Sequence, residues 1–288
     1  MIRAPLRRFG LFAIGLLALA GCAKVDILNA LIPTGGVTIT RDVAYGEGAR
    51  HKLDIYVPKN VVANAPVIVF FYGGTWQTGA KGDYLFAAQA LASTGAIVVV
   101  PDYRVYPEVT FPGFLDDGAA AVAWTFRNIA AYGGDTRSIF LAGHSAGAYI
   151  AITLALDRDY LGRSGMPDTK LAGAIGISGP YDFLPLTRPD VKAIFEVVPD
   201  MSVTQPITYA RADAPPMLLV TSSGDTEVEP KNAINLTKRL KELGAPVEFR
   251  DYPGLTHENV AMALSVPFRG KAPVLADSAA FLHRHLGE

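Results

Sequence analysis

Ile139-Phe140-Leu141-Ala142-Gly143-His144-Ser145-Ala146-Gly147-Ala148-Tyr149-Ile150 runs from four consecutive apolar residues, through a Gly-x-Ser-x-Gly turn, into an apolar stretch that reaches Leu156. Four apolar residues in a row read as a strand covered on both faces, and Ala146 to Leu156 reads as a helix. The five-residue turn between them therefore sits in a strand-turn-helix context that puts its serine at the apex. Gly143 and Gly147 leave room for the backbone to double back and for the helix to pack close against the sheet. A hydroxyl at that apex stands at the carboxyl edge of a sheet. It becomes a nucleophile only when a neighbouring base removes its proton, and the first helical amide, that of Ala146, can hold a developing oxyanion. Ser145 is the candidate nucleophile.

Outward from this turn the chain alternates apolar bursts with longer helical patterns. Val67 to Tyr72, Ile97 to Val100, Ala174 to Ile177 and Met217 to Thr221 join Ile139 to Ala142 as buried strands. Leu85 to Ser93, Phe114 to Ala131, Ala146 to Leu156 and Lys231 to Leu243 are the helical candidates. That alternation predicts an α/β domain with a mostly parallel central sheet flanked by helices. Val37 to Tyr45 and Lys52 to Val57, joined by a Gly-rich turn, read as an antiparallel pair at one side of it. One stretch breaks the rhythm. Residues 181–210 carry Pro185, Pro189, Pro199 and Pro206 and exceed a usual connection in length, which marks a lid-like insert.

The base is found nearly by elimination, since the chain has 5 histidines: His51, His144, His257, His283 and His285. In an elbow of this kind the acid and then the base follow the serine along the chain, which removes His51. His144 sits beside the serine with its side chain turned elsewhere, and His283 and His285 fall on a last, charged helix. His257 remains, on a loop just past the strand-like Val247 to Tyr252. The acid must fix the imidazole tautomer and stabilise the imidazolium. Asp225 fits, just past Met217 to Thr221, and Glu227 and Glu229 on the same loop are alternatives.

Phe70-Phe71-Tyr72-Gly73-Gly74-Thr75-Trp76 ends the first central strand in a glycine pair that could offer amide donors to an oxyanion. With the elbow, and with Pro101-Asp102-Tyr103-Arg104, Tyr106-Pro107, Phe111-Pro112 and Tyr132-Gly133-Gly134-Asp135, this loop resembles that of α/β-hydrolase serine esterases. The likeness is to the hormone-sensitive-lipase-like, bacterial esterase/lipase and kynurenine-formamidase-like groups, and it runs from about Val37 to His285. The resemblance implies an oxyanion hole built from Gly74, Thr75 and Ala146, with Gly73 supplying flexibility. Tyr72 stands where the family has His, and Thr75 where it has a third Gly. Backbone donors tolerate both changes provided Thr75 needs no positive φ. Tyr72, Trp76 and Tyr181 are candidate pocket walls, and Asp102 and Arg104 a candidate local ion pair.

The resemblance further implies two-step acyl transfer on small to medium carboxylic esters. Ser145 would attack, His257 carry the proton and Asp225 orient it, with neither metal nor organic cofactor. An arylformamidase-like amide hydrolase and a non-catalytic binding lipoprotein are the alternatives. The formal net charge of -1 gives no basic excess, so nucleic acid is not an expected partner.

The N-terminus reads as an address. Arg3, Arg7 and Arg8 precede an apolar run from Phe9 to Ala20 that is short for a bilayer span, the layout of a secretory signal. Leu19-Ala20-Gly21-Cys22 resembles the lipobox of bacterial lipoproteins, and Cys22 is the single cysteine of the 288 residues. The expected organisation is a signal peptide over 1–21, a lipidated tether over 22–36 and one hydrolase domain over 37–288. Ala23 after the cysteine implies the outer membrane, with the protein facing the periplasm. Each buried acyl methylene would contribute about 0.8 kcal/mol to anchoring.

Overall fold

The computed structural model describes residues 25–166 and 171–286. Eight strands form one sheet: β1 (Val37–Ala44), β2 (Lys52–Pro58), β3 (Ala65–Phe71), β4 (Ile97–Pro101), β5 (Gly134–His144), β6 (Leu171–Ile177), β7 (Met217–Thr221) and β8 (Val247–Asp251). Their order is β1-β2-β4-β3-β5-β6-β7-β8. β1 pairs antiparallel with β2 and β2 antiparallel with β4, and every later pairing is parallel. Parallel pairing requires crossovers. These run through α1 (Leu85–Ala92), α2 (Gly113–Asn128), α3 (Ala146–Leu156) with α4 (Arg158–Arg163), α5 (Pro189–Phe195) and α6 (Lys231–Glu242); α7 (His257–Met262) and α8 (Val274–Arg284) follow β8.

The strands are apolar at successive positions because both faces are covered. Val67, Val69 and Phe71 of β3 pack with Val99, Ile139 and Leu141 against α2, α3 and α6, in one core. Ile68 and Phe70 point the other way, with Val98, Val100 and Phe140, against α1, α7 and α8. All eleven residues of α3 are buried, so this helix is apolar all round rather than striped. The short helices α4, α5 and α7 have six or seven residues each and had left no readable period in the sequence.

Residues 181–210 fold onto the carboxyl side of the sheet. They contain α5 and 3₁₀ turns at Met201–Thr204 and Pro206–Tyr209. Asn232 Oδ1 accepts from the amides of Tyr181 (2.9 Å) and Asp182 (2.8 Å), and the Tyr149 hydroxyl donates to the Thr204 carbonyl at 2.8 Å. Phe195 lies edge-on to Trp76 at 4.8 Å between ring centres.

Two local expectations need correcting. Arg104 does not pair with Asp102. Its guanidinium grips Asp117 on α2 at 2.7 to 3.2 Å, while Asp102 accepts the Lys81 amide at 2.7 Å. The helix presents the nearer carboxylate to the arginine. The second correction concerns the expected tether. The signal peptide and Cys22 lie outside the described residues, but residues 25–30 form a helical turn that is docked rather than free. Leu28 and Ile32 are buried in the core beside α1, and Asn29 Nδ2 donates to the carbonyls of Gly82 (3.0 Å) and Asp83 (3.1 Å). Its Oδ1 accepts the Phe86 amide, an otherwise unsatisfied donor of the first turn of α1.

Candidate functional site

The turn after β5 has the strained form expected of it. Ser145 sits at φ 55°, ψ −123°, a conformation that costs of order 1–3 kcal/mol in a non-glycine residue. Its amide donates to the Ile177 carbonyl at 2.9 Å, and its carbonyl accepts from Tyr149 at 3.0 Å, so sheet and helix hold it from either side. A methyl group built on Gly147 would lie 2.1 Å from the Phe71 carbonyl oxygen, and one on Gly143 would lie 2.3 Å from that of Gly147. Both glycines are required by this close approach.

The loops after β7 and β8 bring the other two residues together. Asp225 Oδ2 lies 2.8 Å from His257 Nδ1, and Oδ1 accepts the amides of Glu227 (2.9 Å) and Val228 (3.0 Å). Burial would raise the Asp225 carboxyl, but the His257 hydrogen bond and charge, with those two amides, outweigh it and hold the group below its ordinary value. A carboxylate on Nδ1 fixes the proton there and leaves Nε2 as the basic nitrogen. His257 is the first residue of α7, capped by Thr256, rather than part of a loop. Glu227 lies in the cavity wall, its carboxyl raised chiefly by burial, and Glu229 pairs with Lys231 at 2.6 Å.

Ser145, Ala146 and His257 share one cavity of about 380 Å³ with Thr75, Trp76, Phe183, Leu186, Val191 and Asn232. Arg188, also in its wall, pairs with Asp190. The cavity is therefore a mixed pocket, with apolar side chains such as Trp76, Phe183 and Leu186 beside charged ones such as Arg188, Glu227 and Lys231, and it is closed on one side by residues 181–210. Of the three expected wall residues, only Trp76 lines it. Tyr72 is fully buried beneath the loop, stacked on Tyr103 at 4.4 Å, and its hydroxyl accepts from Arg50. Tyr181 is equally buried, its ring filling the space that Gly176 and Gly179 leave for lack of side chains. In both cases the carboxyl edge of the sheet turns the aromatic inward, away from the cavity.

The loop after β3 corrects a further expectation. Thr75 does take a positive φ, 54°, followed by Trp76 at 56° and preceded by Gly74 at 133°. The turn is clamped by the amides of Gln77 and Thr78, both donating to the Gly74 carbonyl at 3.0 Å. Thr75 and Ala146 both line the cavity. Gly73 is closely packed between Tyr84, Ser145 and His144, so it is braced rather than flexible.

The elbow histidine has a part that sequence reasoning missed. His144 is buried with its ring centre 4.7 Å from that of His257. Its Nε2 is 3.2 Å from the His257 carbonyl and its Nδ1 2.8 Å from the Tyr84 hydroxyl. A carbonyl only accepts, so Nε2 carries the proton and Nδ1 accepts from Tyr84. Burial, and then the charge of His257, push this imidazole down to about 3, so it is neutral. Nothing local in the sequence marked this contact, because His144 and His257 are 113 residues apart.

Sheet order, flanking helices and elbow define an α/β-hydrolase fold. The chain belongs to the BD-FAE family, whose model matches residues 53–240. It is 30% identical over 260 residues to isoprenylcysteine alpha-carbonyl methylesterase of Arabidopsis thaliana, covering 83% of this chain and 60% of that protein. It is 26% identical over 228 residues to kynurenine formamidase of Danio rerio, covering 76% and 74% respectively. Esterase B of Lactobacillus rhamnosis has a solved structure that superposes with a TM-score of 0.78 at 18% identity, over 95% of each chain. The chain thus spans about three fifths of the length of the methylesterase it matches.

Proposed function

We propose that this protein is a serine hydrolase of small to medium carboxylic esters. The observation that carries the reading is the convergence of Ser145, at the first amide of α3, with a His257 already locked on Asp225, in one cavity of mixed polarity. In this scheme His257 Nε2 takes the Ser145 proton as Oγ attacks the ester carbonyl, and the oxyanion forms between the amides of Ala146 and the Gly74-Thr75 turn. The tetrahedral intermediate collapses, the alcohol leaves with the proton from His257, and the acyl group stays on Ser145. Water, deprotonated by the same imidazole, then releases the acid and restores the serine. Asp225 keeps its charge throughout and stabilises the imidazolium. The esterase names among the relatives support the reaction class, and a cavity of about 380 Å³ suits a modest acyl group.

Fluorophosphonate labelling of the purified mature protein tests it. The probe is expected on Ser145 of the wild type and not on Ser145→Ala, with kcat lowered by about 10³-fold or more in His257→Ala. A wild type that does not react defeats the reading. The likeness to kynurenine formamidase favours the amide alternative specifically. p-Nitrophenyl esters of rising chain length, run beside an arylformamide, separate the two.

The location proposed is the cell envelope, through acylation of Cys22 and retention at the outer membrane on the periplasmic side. Its support is the charged, apolar and lipobox-like order of residues 3–22. Metabolic labelling with a fatty acid is expected to mark the wild type. Label retained by Cys22→Ala overturns the proposal.

A further inference from the structure

Two segments far apart in sequence must hold still with respect to Ser145 for the proposed chemistry: the start of α7, which carries His257, and the turn after β3. The structure joins them through two side chains that line no part of the cavity. The Tyr84 hydroxyl, packed closely against Gly73, donates to His144 Nδ1 at 2.8 Å; His144 Nε2 donates to the His257 carbonyl at 3.2 Å. We infer that Tyr84 and His144 are positioning residues that lock the oxyanion turn and the base loop to each other across the elbow.

Three observations support this. The two hydrogen bonds run in a consistent direction: the Tyr84 hydroxyl donates to an imine nitrogen and the His144 N–H to a carbonyl. Only a neutral His144 of one tautomer allows it. The junction is also tight. A methyl group built on Gly73 would lie 2.9 Å from the Tyr84 hydroxyl, 3.1 Å from Ser145 Cβ and 3.2 Å from His144 Nδ1, so the turn, the elbow and the relay meet at one point. Finally, Tyr84 is itself held. Its ring packs 5.6 Å from Phe70 and 5.3 Å from Phe86, and the short helix that carries it (Lys81–Tyr84) has its Gly82 and Asp83 carbonyls bound by Asn29. The packing of Tyr84 on Gly73 and the two hydrogen bonds beyond it fix the distance between the base and the turn after β3, and an error of 1 Å there costs about a hundredfold in rate.

This inference rests on the proposed serine-hydrolase reading, and its test separates the two. Tyr84→Phe removes one oxygen and leaves the ring in place. Relative to wild type on p-nitrophenyl acetate, kcat is expected to fall by about tenfold to a hundredfold. KM should change less than about threefold, because no cavity contact is lost. His144→Gln, whose amide N–H can still reach the His257 carbonyl, is expected to retain several times the kcat of His144→Leu, which cannot. If the wild type is labelled by fluorophosphonate and turns over ester, but Tyr84→Phe keeps wild-type kcat, the positioning role is refuted and the hydrolase reading stands. If Tyr84→Phe does not fold, the comparison of His144→Gln with His144→Leu decides: equal kcat in the two overturns the inference. An unlabelled, inactive wild type defeats the reading on which it rests.

Discussion

His144 shows how burial sets a residue's chemistry. An exposed imidazole of ordinary affinity, 6.5, would gain a proton in mild acid, whereas here burial and the nearby His257 push it down to about 3. Below 6.5 the unfolded chain therefore binds a proton that the folded one refuses, so this contribution to stability is complete above 6.5 and is lost as pH falls towards 3. Its slope approaches about 1.4 kcal/mol per pH unit. Asp225, also held below its ordinary value, adds loss in the same direction at lower pH. Chemical denaturation between pH 7 and pH 4 is expected to show the decline, and His144→Gln to flatten its upper part. A variant curve parallel to the wild type's would show that another group carries the effect.

Among the elements, the turn after β3 carries the most local strain outside the elbow. Threonine is β-branched, and a positive φ of 54° costs it of order 1–2 kcal/mol. Glycine removes that strain but adds backbone freedom to the unfolded chain worth about 0.5–1 kcal/mol. Thr75→Gly is therefore expected to leave stability within about 1 kcal/mol of wild type, or slightly above it, by thermal denaturation. With the amides of this turn in the proposed oxyanion hole, kcat is expected to fall as the turn loosens. A clear loss of stability would mean that the threonine side chain, rather than the Gly74 carbonyl clamp, holds the turn. The sequence had placed this loop correctly at the end of a central strand, but its backbone angles depend on Gln77 and Thr78 closing onto Gly74, a preference that residue types alone do not express.

For the whole molecule, the docking of residues 25–32 beside α1 has a consequence for the proposed anchor. Asn29 binds the short helix that carries Tyr84, so the first described residues are fixed to the segment that joins β3 to α1, and the proposed anchor at Cys22 would be coupled to the fold through it. What the sequence determined by itself was local in character. Runs of apolar residues marked strands buried on both faces, the alternation with helices dictated parallel pairing, and glycines spaced around Ser145 announced the elbow. The order serine, acid, histidine left His257 and the carboxylates of residues 225–229. Tertiary structure decided which atoms meet. It chose Asp225 over Glu227 for the His257 ring and Asp117 over Asp102 for Arg104. It turned Tyr72 and Tyr181 into the core and brought His144 against His257. Periodicity encodes which face of an element is apolar. It does not encode which residues of different elements come to lie opposite each other, because strand register and the packing of crossover helices set that across separations of up to a hundred residues or more.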